Sequence, residues 1–119
     1  MIMNARSYFL IALVILPLVI LSQELNQTVI DKESGKEILF GNCDRTGLEK
    51  GEFGKSFDEY YEVYEPDQSV LNHLKQKKEG RDILMVVGTW CSDSQEQVPK
   101  FYKILDKIKF DKQVKVFTE

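Results

Sequence analysis

Apolar positions along the chain fall into segments of different period. An uncharged run, "SYFLIALVILPLVIL", fills residues 7–21. Beyond it, "QTVIDKESGKEILFG" places apolar or β-branched residues on both sides of a polar centre, "DKESGK". That pattern predicts a hairpin, with strands over Thr28–Ile30 and Glu37–Phe40 and a turn near Ser34 and Gly35. "GNCDRTGLEKGEFG" holds four glycines in 14 residues and reads as a loop. In "KSFDEYYEVYEPD", Phe57, Tyr60, Tyr61 and Tyr64 recur at i, i+3, i+4 and i+7. This is one face of a helix, with Ser56 as its N-cap, Glu59 three residues on, and Pro66 as its stop. The aromatic stripe is read as core packing rather than as a ligand platform.

A second short helix is expected to start near Asp67 or Ser69, turning Val70, Leu71 and Leu74 inward and leaving His73 in solvent. "DILMVVG", residues 82–88, is a short continuous apolar run between a charged turn and a glycine. It predicts a central strand buried on both faces of a sheet. Val98, Phe101, Tyr102, Leu105 and Ile108 then repeat at helical spacing, predicting a helix over Ser92–Lys109 with Pro99 as a kink inside it. "QVKVFTE" reads as a strand. The order of these last elements is a βαβ unit behind a preceding helix, which makes the fold class α/β.

Length and charge narrow the function. The 119 residues suffice for one domain. A net charge of −3 lacks the basic excess of a nucleic-acid binder. One His and no Cys/His cluster give no expected metal site, and no cofactor is expected. Arg6 followed by the apolar run is the pattern of a secretory signal peptide, because the run falls short of the about 20 residues that span a bilayer. Ser22 is a suitable small residue before a cut, while Ile20 is a poor one. The alternative is an uncleaved membrane anchor. Either reading places the protein outside the cytoplasm, in the periplasm or cell envelope, where disulfides persist.

The candidate chemistry lies in "GTWCSDSQEQVP", residues 88–99. A strand that turns into a helix at "TWC" sets Cys91 at the helix N-terminus, where free N–H groups and the helix dipole favour a thiolate. Trp90 shields one side of the sulfur. Thr89, Ser92 and Asp93 complete the turn expected to meet a substrate, and Asp93 and Glu96 oppose the thiolate electrostatically. Ser94 is positioned to donate a hydrogen bond to it. The opposing reading of Cys91 is a buried structural cysteine. Cys43 has no strand-to-helix setting; a Cys43–Cys91 bridge stays open, since sequence does not fix the Cα separation that a disulfide needs.

The segment "DILMVVGTWCSDSQEQVPKFYKIL" resembles the active-site strand, turn and helix of the thioredoxin superfamily, in particular exported thioredoxin-like proteins of bacterial envelopes. Trp90-Cys91 matches the family's Trp-Cys, and Pro99, eight residues on, matches its helix-kinking proline. The resemblance runs from Asp82 to roughly Phe117. It implies a partial thioredoxin-like domain over residues 67–119, with residues 23–66 as an N-terminal extension. Three departures stand out. Ser94 replaces the resolving cysteine, and Met85 stands where many members carry a buried acid. After Cys91 come 28 residues without the family's cis-proline loop, so the core is expected to be incomplete at its C-terminus and the chain a fragment. The resemblance implies thiol–disulfide exchange through a single cysteine, with thiol- or disulfide-bearing proteins as partners. The alternative is a non-catalytic thioredoxin-fold binding module.

Overall fold

The structure is a computed structural model that describes residues 24–119. The predicted signal or anchor segment, residues 1–22, lies outside the described residues. The chain is α/β, with two small sheets and four helices among the described residues. The hairpin forms as its pattern predicts. β1 (Thr28–Ile30) pairs antiparallel with β2 (Glu37–Leu39), Val29 opposite Ile38. Asp31 holds the turn, its carboxylate accepting from the Ser34 N–H at 2.9 Å.

The glycine-rich stretch is not a loop. It holds β3 (Gly41–Cys43) and α1 (Arg45–Leu48), and α2 (Gly51–Val63) begins within it. Gly41, at φ +84°, turns the chain sharply out of β2 into β3. Asp44 then caps α1 by accepting from the Gly47 N–H, and Leu48 closes the turn fully buried. Local glycine content points to a loop; the cap and one buried leucine override it. For the same reason α2 starts at an N-cap of Lys50, not Ser56, which sits in mid-helix. Phe53 thereby joins Phe57 on the buried face.

α3 (Gln68–Lys77) starts where expected, with Asp67 accepting from the Ser69 and Val70 N–H groups. Leu71 is its buried residue and Leu74 packs at the core edge, but Val70 points to solvent and His73 is exposed. β4 (Leu84–Val87), α4 (Ser92–Lys107) and β5 (Lys115–Thr118) form the parallel βαβ unit. α4 runs through the buried Pro99.

The sheet order is β3-β5-β4, so β4 is an edge strand and β5 the central one. β4 is also not buried on both faces. Met85 and Val87 face the core, while Leu84 and Val86 are 68% and 60% exposed. Among the described residues, the helices cover one face of this sheet, and Phe117 of β5 lies open beside the two β4 side chains. A continuous apolar run marks the strand correctly but does not say which face is covered.

One core joins residues from Leu39 to Val116, including Cys43, Phe57, Val98, Tyr102 and Leu105. Arg45 clasps its lower rim. Its guanidinium makes two bonds to Asp106, at 2.7 and 2.9 Å, and lies over the rings of Phe57, Tyr61 and Tyr102. Tyr61 donates to the same carboxylate at 2.6 Å. Partial burial alone would raise the Asp106 carboxyl, but the bonds from Arg45 and Tyr61 outweigh it and hold the group below its ordinary 3.8. On the other side of the clasp, Tyr102 is pushed up to about 12 by burial, and its hydroxyl has no hydrogen-bond partner.

Two expectations follow from the clasp. A depressed carboxyl contributes stability that is present above its unfolded-state value and lost as pH falls through the folded one. Asp106→Asn should therefore lower the stability at neutral pH by about 1 kcal/mol, the modest size reflecting a half-exposed pair. That difference from wild type should shrink as the pH drops below the ordinary carboxylate range, as measured by urea unfolding at a series of pH values. Tyr102→Phe removes a hydroxyl that is desolvated without return, so its thermal midpoint should equal or exceed that of the wild type.

Candidate active site

β4 delivers the chain to the top of the sheet at Val87, which pairs with Thr118. Gly88 to Trp90 turn it over, with the Cys91 N–H donating to the Gly88 carbonyl at 3.0 Å. Cys91 is then the N-cap of the 16-residue α4. The three connections that hold this turn are all to elements distant in sequence or to α4 itself. Thr89 is buried, and its Oγ1 accepts the Leu39 N–H of β2 at 3.0 Å. Gln95 donates from its side-chain amide to the Thr89 carbonyl at 3.1 Å. Trp90 donates from Nε1 to the Glu119 carbonyl at 2.9 Å, at the end of β5.

The indole of Trp90 folds back over Gly88. A Cβ at residue 88 would lie 2.8 Å from the ring, closer than packed atoms approach, so the glycine makes room for the tryptophan. The ring is nevertheless 61% exposed and presents an apolar surface on the turn that leads into Cys91. Ser92 and Asp93 are exposed on the first turn of α4, Ser94 is half-buried one step further, and Pro99 is deep in the core. Cys91 is half-buried and unbridged. No hydrogen bond joins Ser94 Oγ to Cys91 Sγ. Glu96 is drawn off to Lys100 at 2.5 Å, which leaves Asp93 as the carboxylate on the helix's first turn.

Cys43 is a different kind of cysteine. It is a free, buried member of β3 opposite Val116. Burial pushes its thiol up, a hydrogen bond with Thr118 works the other way, and Asp44 adds to the rise. A cysteine so placed is inert at neutral pH.

Motif reading missed the hairpin's part in this site. Leu39 reaches Thr89 across 50 residues of sequence, and no local pattern encodes that pairing. The strand pattern of "EILFG" gave the hairpin itself but not where it docks. The hairpin and the first turn of α2 enclose a cleft of about 1100 Å³ that ends on Thr89, Trp90 and Gln95.

No family model matches the chain, and neither a curated protein nor a solved structure does.

The Thr89 hydroxyl can be tested directly. Thr89→Val keeps the volume and leaves the Leu39 N–H buried without an acceptor, which should cost roughly 1–3 kcal/mol. Thr89→Ser restores the acceptor and should recover most of it. Hydrogen exchange at the Leu39 amide, read by NMR, should accelerate in the first variant and not in the second.

Proposed function

We propose that this chain is an exported protein of thioredoxin-like architecture that carries out thiol–disulfide exchange through Cys91 alone. The observation that carries the reading is the placing of a free, half-buried cysteine at the N-cap of α4, directly after the β4 turn and beside an exposed tryptophan. The thiolate is the attacking species in such exchange. Cys91 attacks one sulfur of a partner disulfide; the bond between Cys91 and that sulfur forms, the partner's S–S bond breaks, and its second sulfur leaves as a thiolate. No net oxidation occurs in this step. Release requires a second thiolate to attack the mixed disulfide. Ser94 occupies the position from which the family's second cysteine acts, and a hydroxyl is too weakly acidic to do so. Cys43, buried in β3, does not reach solvent. The resolving thiol therefore comes from the partner or from a small thiol. The outcome is isomerisation or retention of the partner rather than its net reduction.

A second reading, a binding module without turnover, draws support from the open apolar face formed by Leu84, Val86 and Phe117.

The wild type should accumulate covalent complexes with disulfide-bearing proteins that vanish on adding reductant, and should turn over slowly in a dithiol-driven insulin-reduction assay. Cys91→Ala should abolish the complexes, Cys43→Ala should leave them, and Ser94→Cys should disperse them and raise turnover well above background. Iodoacetamide followed by mass spectrometry should label Cys91 in the folded protein and Cys43 only after unfolding. Absence of complexes, together with labelling of Cys91 no faster than a model thiol, favours the binding module.

A further inference from the structure

We propose that the cleft beneath the β1–β2 hairpin binds an extended, basic segment of the partner protein, paired as a third strand along the outer edge of β2. This rests on the thiol-exchange reading for the identity of the partner, but the cleft's own geometry argues for the ligand's form.

The hairpin's bonding pattern settles which backbone groups are spent. The Phe40 N–H donates to the Gln27 carbonyl, the Asp31 N–H donates to the Lys36 carbonyl, and Val29 lies opposite Ile38 between them. In an antiparallel ladder the intervening residues point their N–H and carbonyl groups away from the partner strand. On β2 these are Glu37 and Leu39. The Leu39 N–H is taken by Thr89. The Glu37 N–H, the Glu37 carbonyl and the Leu39 carbonyl have no partner among the described residues. They form a row of donor and acceptors spaced for another extended backbone, the mode of recognition known as strand addition. The same edge lines the cleft that ends on Thr89 and Trp90, immediately before Cys91.

The walls specify the side chains. Ile38, Phe40, Phe53 and Trp90 line the cleft, and Phe40 and Trp90 are half-exposed or more. The rim carries five carboxylates against three lysines. One of the five, Glu37, stands on the strand edge itself, and Asp93 adds a further carboxylate beyond it on the first turn of α4. A net acidic rim around an apolar floor selects a segment that alternates aliphatic residues with lysine or arginine. Such a segment laid on β2 runs toward Trp90, so that a cystine at its end meets the Cys91 sulfur.

Trp90 is the single tryptophan of the chain and lies on the cleft wall, so its fluorescence reports occupancy without any thiol chemistry. The probe is the cysteine-free peptide acetyl-Val-Lys-Ile-Lys-Val-amide, titrated into the intact Cys91→Ala protein. A saturable shift in emission is expected, with the Glu-for-Lys peptide binding about tenfold more weakly or worse. N-methylation of one alternate set of peptide amides should abolish binding, and methylation of the other set should not. Glu37→Lys should weaken the basic peptide and improve the acidic one. The proposal is overturned by a flat titration, by equal binding of the two N-methylated sets, or by an emission shift that follows protein concentration without peptide, which would place a second copy in the cleft. A cystine-bearing version of the peptide separates this proposal from the thiol reading. Binding to Cys91→Ala with no mixed disulfide on the wild type would leave the cleft and remove the exchange chemistry. Mixed disulfides formed equally with basic and acidic peptides would do the reverse.

Discussion

The whole arrangement depends on the pairing of β5 on both its sides. β3 joins it antiparallel and β4 joins it parallel, and the two outer strands do not pair with each other. Val116 and Thr118 supply the inward side chains at its centre, and both are buried. Thr118 also donates from Oγ1 to the Gly41 carbonyl at 3.2 Å, fixing the point where the hairpin leads into the sheet. The end of the strand then takes the Trp90 indole on the Glu119 carbonyl. One short strand thus sets the height of the hairpin, the exit of β4 and the orientation of the tryptophan beside Cys91.

The reach of sequence reasoning follows from the range of each interaction. The hairpin, the capped start of α3 and the strand–helix–strand order of residues 84–118 rest on local period and on residues within one turn of each other. Those were legible. The stretch from Gly41 to Gly54 was not, because its glycines speak for a loop while the deciding contacts, Leu48 in the core and Cys43 against Val116, are tertiary. β4 shows the same limit from the other side. "DILMVVG" marks a strand, but whether its second face is covered depends on what packs there, and Leu84 and Val86 lie open. At the site, the turn residues were legible as a group. The Leu39–Thr89 and Trp90–Glu119 bonds that hold them were not, since each joins segments far apart in the chain.

The two cysteines differ in placement, one buried and one half-buried. Cys43 is a small apolar filler in β3, its thiol raised by burial. Cys91 sits at a strand-to-helix junction, directly after the exposed Trp90 and at the N-cap of α4. The Arg45 clasp stands apart from both. It joins α1 to the end of α4 through Asp106 and rests on three aromatic rings, so that it steadies the helix whose opposite end carries the sulfur.

The position of β5 in the chain also bears on when the fold can form. It is the latest of the described elements to leave the ribosome, yet it is the centre of the sheet, and its bond to Gly41 spans 77 residues. Until it emerges, β3 and β4 have no strand between them and only the hairpin and helices have local partners. Pairings this distant in sequence are slow to close. A chain built in this way cannot close its three-stranded sheet until that late strand is available to both of its neighbours.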